Sequence, residues 1–126
     1  MKVFVSYSLV DQGLVECELA RIQSGSLTGA ELDDHGAWIT NIGDPRSEIK
    51  RRIGEADEVL LVWSDSAAGS PYVNYEIGIA QAFGKRIRVF FTADCKSEPP
   101  LEAHEDDILN DGPARTLTIK NRSQPN

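Results

Sequence analysis

Three stretches of the chain are apolar almost without interruption: 2–7 (KVFVSY), 58–63 (EVLLVW) and 86–91 (RIRVFF). Near-continuous runs of β-branched and aromatic residues, without the polar alternation of a half-exposed strand, mark strands covered on both faces. Between them the period changes. Leu14, Val15, Leu19 and Ile22 recur at helical spacing over 12–23, as do Ile49, Ile53 and Ala56 over 46–56. Asp44 suits the cap of the second helix, with Pro45 at its first position, where a missing N–H costs nothing. A third helix is predicted within SPYVNYEIGIAQAFGK, residues 70–85, with Ser70 as cap, Pro71 behind it and Gly84 as the left-handed residue at the stop.

Strands alternating with helices imply a parallel sheet joined by right-handed crossovers. The second strand is the least marked, near Ala30 to Asp33, ahead of the Gly- and Asp-rich loop DHGAWITNIGD. Beyond residue 92 the pattern thins to a short acidic helix in PLEAHEDDILN and a last edge strand in RTLTIK, 115–120, before a polar tail at 121–126. Neither an internal repeat nor a dividing linker is present, so residues 1–120 read as one domain. A five-stranded doubly wound sheet of this kind takes strand order 2-1-3-4-5, with helices on both faces, a flavodoxin-like three-layer sandwich. Its ligand crevice opens beyond the carboxyl ends of the first and third strands, here SYSLVD (6–11) and SDSAAGS (64–70).

Composition narrows the function. At 126 residues, 40% hydrophobic and 26% charged, the chain can bury a core unaided. Its apolar runs fall far short of the roughly 20 residues that span a bilayer, and MKVFVSYS is too short for a secretory core, so a cytoplasmic protein without membrane partners is expected. A net charge of −7 argues against nucleic acid as a partner. Two basic runs, Lys50-Arg51-Arg52 and Lys85-Arg86-Ile87-Arg88, read as solvated faces balancing nearby acids. Cys17, Cys95, His35 and His104 have no metal-ligand spacing, so free thiols and no bound metal are expected.

One residue breaks the pattern. On the helix after the third strand, Val73, Ile77 and Ala80 form one stripe and Tyr72, Glu76, Ile79 and Phe83 an adjacent one, which sets a carboxylate among apolar neighbours. Since that helix starts at the rim of the crevice, Glu76 is expected to face it. Ser70, Tyr72 and Glu76 would then converge with Ser6, Ser8, Asp11 and Ser64. A surface or ion-paired role for Glu76, and a core role for Tyr72, remain the plain alternatives.

These residues carry a resemblance. VFVSYSLVD (3–11), the acidic pair Asp33-Asp34 with IGD at 42–44, and IGEADEVLLVWSDSAAGSPYVNYEIGIA (53–80) together resemble a bacterial-type TIR (Toll/interleukin-1 receptor) domain. The last segment resembles that family's S-x-W-x-x-x-E motif, written here S-P-Y-V-N-Y-E with Tyr72 in place of tryptophan. The resemblance implies an NAD glycohydrolase in bacterial defence signalling, with Glu76 catalytic. It also implies substrate contacts from Ser6, Tyr7, Ser8, Asp11, Asp34, Trp38, Ser64, Ser70 and Tyr72. NAD would be substrate rather than cofactor. Activation would come through TIR–TIR self-association or a separate protein.

The implied chemistry is economical. Nicotinamide in NAD is a cationic pyridinium that departs neutral, so no general acid is required, and one carboxylate can stabilise the oxocarbenium-like transition state. Without G-x-G-x-x-G, a redox dinucleotide site is not indicated. The pyrophosphate could rest on backbone N–H groups at the helix start after SYSLVD. Two other functions compete. EIGIA (76–80) also resembles the helix of nucleoside 2-deoxyribosyltransferases, which expel an uncharged base and would need a proton donor such as Asp11, Asp34 or Asp65. A non-catalytic TIR-like module would instead pair through the loop around Trp38 and Ile42.

Overall fold

The three apolar runs are strands. In the computed structural model, which describes residues 1–25, 27–34, 45–93, 95–102 and 104–110, they are β1 (Lys2–Ser6), β3 (Glu58–Trp63) and β4 (Arg86–Phe91), with the short polar β2 at Glu31–Asp34. All neighbours are parallel and the order is β2-β1-β3-β4. The helices are α1 (Gln12–Ser24), α2 (Arg46–Glu55), the four-residue α3 (Asp65–Ala68) and α4 (Pro71–Ala82). Asp44 lies outside the described residues, and Pro45 occupies the position before α2.

The expectation of five strands is met for four among the described residues; 115–120 lie outside them. The edge of β4 is instead lined over its last residues by 108–110. Ile108 bridges Val89 in parallel, Leu109 N donates to Val89 O at 2.9 Å, and the Asn110 amide accepts from Phe91 N at 2.8 Å and donates to Phe91 O at 2.6 Å. Of the acidic helix expected in PLEAHEDDILN, 100–110, the described residues form only a 3₁₀ turn at Glu105–Asp107. Three consecutive acids there repel one another and provide no apolar stripe to dock.

Alternation along the strands divides the core. Val3, Val5, Leu60 and Val62 pack with Val15 and Ile22 of α1. Phe4 and Val59 face Ile49 and Ile53 of α2 and Ala80 of α4, while Leu61 and Trp63 meet Val73 and Ile77 of α4. Ser6 follows Phe4 by two positions and therefore points to the α4 side as well. That parity sets a hydroxyl under α4 at the carboxyl end of β1.

Both ends of α4 are fixed as its sequence indicates. Ser70 Oγ accepts from Val73 N at 3.3 Å. Gly84 has φ of 67°, Lys85 N donates to Ala80 O at 2.9 Å and Gly84 N to Gln81 O at 3.0 Å, the two bonds of a Schellman stop. Lys85 Nζ then satisfies the end of α2, donating to Gly54 O at 3.1 Å and Ala56 O at 2.7 Å. The arginines of the two basic runs meet acids: Arg51 and Arg52 hold Glu48, Arg52 also holds Asp33, Arg86 holds Asp107 and Arg88 holds Glu58. Among the described residues no helix is long and apolar enough to cross a membrane.

Candidate functional site

A cleft of about 430 Å³ opens where the strand order reverses, beyond the carboxyl ends of β1 and β3. That is the switch point at which ligands bind in sheets of this topology, and the volume lies in the range of small-molecule sites. Tyr7, Ser8, Leu9 and Val10 form one wall and Asp65, Ser66, Gly69, Ser70 and Tyr72 the other. Among the described residues neither lysine nor arginine lines it. Leu9 (40% exposed), Val10 (82%) and Tyr72 (42%) give the mouth an apolar rim.

The local sequence explains the walls. After β1 the chain turns through a 3₁₀ segment, Leu9–Asp11, directly into α1. After β3, Ser64 caps α3 by accepting from Ala67 N at 2.9 Å, and α3 gives way to α4 at Gly69-Ser70-Pro71. Sequence periodicity misses α3, since four residues span little more than one turn; its trace is the Ser64 cap followed five residues later by Gly69.

Besides Asp65, three carboxylates at this end of the sheet each accept a hydroxyl hydrogen bond. Ser6 Oγ donates to Glu76 Oε1 at 2.6 Å, Tyr7 Oη to Asp34 Oδ1 at 2.5 Å, and Ser64 Oγ to Asp11 Oδ2 at 2.5 Å. The Ser64–Asp11 bond ties the two walls together at their base. The predicted site residues thus sort into two groups. Tyr7, Ser8, Ser70 and Tyr72 line the cleft, while Ser6 with Glu76, Asp34, and Asp11 with Ser64 stand behind or beneath that lining. Trp38 and Ile42 lie outside the described residues.

Glu76 departs from its expected orientation. It is 0% exposed and does not line the cleft. Residues 73, 76, 77 and 80 form the buried face of α4, whereas Tyr72 and Phe83 are exposed. Glu76 stands four residues from both Tyr72 and Ala80, so helical spacing alone fits either stripe. Packing against β1 selects the inner one, where Ser6 supplies a donor in place of a methyl group.

Asp65, a cleft residue, is held from outside the cleft. Its Oδ1 accepts from Lys96 N at 3.0 Å, Ser97 N at 2.9 Å and Ser97 Oγ at 2.8 Å. The Ser97 hydroxyl, then the two backbone N–H groups, keep this carboxyl below its ordinary range. Trp63 Nε1 binds Ser97 O at 3.0 Å, so the chain after β4 is anchored at two points beside α3.

No family model matches the chain, and no curated protein does. Among solved structures, a crystal structure of a prokaryotic SEFIR domain is similar with a TM-score of 0.55, covering 97% of this chain and 94% of that one at 16% sequence identity. At that identity the likeness concerns backbone architecture. The chain shares the α/β fold of that domain, with a parallel sheet flanked by helices and a cleft at its switch point.

Proposed function

We propose that this domain cleaves the bond between nicotinamide and ribose in NAD, within a bacterial defence pathway and under control of self-association or an activating protein. The observation that carries the reading is Glu76, a carboxylate kept in the core beside the cleft and aimed by Ser6 Oγ at 2.6 Å. Removing a carboxylate from water is costly even where hydrogen bonds offset part of that cost, so an apolar side chain at this position would stabilise the fold more simply. Catalytic groups are found under such tension.

In the reaction, the C1′–N1 bond breaks and its electron pair returns to the pyridinium nitrogen, which leaves as neutral nicotinamide. Positive charge develops on the ribose, where an adjacent carboxylate stabilises it. Water then bonds to C1′ and releases a proton to solvent, giving ADP-ribose; attack by a ring nitrogen of the adenine gives a cyclic isomer instead. No group in this sequence of steps has to donate a proton to the leaving group. The deoxyribosyltransferase alternative does need one, and Asp65, held ionised by the 96–97 segment, is poorly suited to supply it.

Because no part of Glu76 is exposed, turnover requires the residues between it and the cleft to move. Self-association could drive such an opening, so nicotinamide release per molecule should rise with protein concentration or with artificial clustering. Release absent at every concentration would remove the enzymatic reading. The complete burial of Glu76 favours one second reading, a non-catalytic interaction domain in which the Ser6–Glu76 bond joins β1 to α4.

A further inference from the structure

Ser8 is the cleft residue whose environment the fold leaves unexplained. It is 7% exposed, yet its hydroxyl makes no hydrogen bond among the described residues. Each of the other buried polar side chains does: Ser6 to Glu76, and Ser64 to both Asp11 and Ala67 N. Nor does Ser8 cap the 3₁₀ turn that follows it, although serine readily does so. A buried hydroxyl without a partner is unfavourable, and alanine would fill the same space without that penalty. Ser8 lines the cleft, and a ligand there can supply the partner its hydroxyl lacks.

The surroundings define the ligand. Across the cleft stand the half-exposed ring of Tyr72, the carboxylate of Asp65, and the hydroxyls of Ser66 and Ser70, with apolar Leu9 and Val10 at the mouth. Ser70 Oγ already accepts from Val73 N and so keeps its own proton to donate. An aromatic face beside a carboxylate and several hydroxyls matches a sugar ring, which has apolar C–H faces and hydroxyls that both donate and accept. A bare oxyanion matches less well, since Asp65 lines the cleft and, among the described residues, no cation does. We propose that Ser8 is a specificity-determining residue that binds a ribose hydroxyl in this cleft. The proposal rests on the NAD reading for the choice of ribose, and leaves to experiment which of the two riboses of the dinucleotide is held.

The test is a pair of nucleoside titrations followed by amide chemical shifts, one with adenosine and its 2′-deoxy and 3′-deoxy forms, the other with nicotinamide riboside and its corresponding deoxy forms. Expected are shifts at Ser8 and Tyr72, and affinity about tenfold weaker for one deoxy analogue of whichever series binds, because a site built for a hydroxyl rejects its absence. In Ser8→Ala that discrimination should vanish, with ribo and deoxy forms binding alike. The urea midpoint of Ser8→Ala should equal or exceed that of the wild type, since an unpartnered hydroxyl has been removed; a structural serine would lower it. Deoxy analogues as tight as their parents in the wild type, discrimination that survives in Ser8→Ala, or absence of shifts at the cleft would each overturn the proposal. None of these readouts depends on turnover, so a failed NAD assay and a failed sugar contact remain distinguishable.

Discussion

The bond between Ser6 and Glu76 makes a quantitative prediction for the fold. At 2.6 Å in a wholly buried setting it is a short O–H···O contact, in the range of charge-assisted bonds. Ser6→Ala removes the donor and leaves Oε1 short of one partner. Hydrogen bonds to charged groups contribute about 1.5–3 kcal/mol, so a loss of about 2 kcal/mol is expected. With a urea m-value of about 2 kcal/mol/M for a domain of this size, the unfolding midpoint should fall by about 1 M. Glu76→Leu, which replaces the carboxylate by an apolar branched side chain one atom shorter, strands the serine instead and should also destabilise. Combining the two removes both polar partners, so the double variant should be more stable than the sum of the single losses by about 1.5 kcal/mol. Losses additive to within about 0.5 kcal/mol, or a Ser6→Ala midpoint within about 0.2 M of wild type, would refute the bond as a coupled pair.

Other consequences follow from the same physics. Gly84→Ala should cost about 1 kcal/mol, because Gly84 holds φ of 67°, whereas Gly78→Ala inside α4, with open space at its Cβ, should gain up to about 1 kcal/mol by urea unfolding. Arg51, then Arg52, hold the Glu48 carboxyl down to about 2 from an ordinary 4.5. A depressed folded value means stabilisation that is present above 4.5 and is lost as pH falls toward 2, so Glu48→Gln should flatten the acid side of the stability profile in that window, with the small deficit of this solvent-screened pair seen at pH 7 and gone near pH 2. Asn110→Ala removes both bonds to Phe91 and should speed hydrogen exchange at the Phe91 amide without altering that of Leu61 in the middle of the sheet.

Most of the architecture could be read from hydrophobic period and caps. The runs that became β1, β3 and β4 are apolar on both faces, and α4 has an unambiguous start at Ser70-Pro71 and stop at Gly84. The strand order of the first four strands also agrees, because alternating elements with right-handed crossovers leave few arrangements. What escaped were features without period. The four residues of α3 cannot repeat a stripe, and the segment at 108–110 occupies the edge of β4 through one bridge and an asparagine amide rather than a strand. At the site, the sequence singled out Glu76 as a carboxylate among apolar neighbours and set it facing the cleft, whereas it is buried in the core. Glu76 belongs to two overlapping stripes, and the choice between cleft and core depended on Ser6, seventy residues away, waiting under α4. Neither did sequence distinguish Ser8 from Ser6 and Ser64: all three are serines near strand ends, and only the three-dimensional arrangement shows which of them lacks a partner among the described residues.

The central claim is that Glu76 supports cleavage of the nicotinamide–ribose bond, and chromatographic measurement of nicotinamide released from NAD tests it most directly, comparing clustered wild-type protein with Glu76→Gln. The substitution keeps the side chain's shape and leaves Ser6 an oxygen to bind, while removing the negative charge that would face the ribosyl cation. Nicotinamide release by the wild type and near-complete loss in the glutamine variant, with an unchanged fold, is the predicted result. Equal release by the two proteins, or none from the wild type, would contradict it.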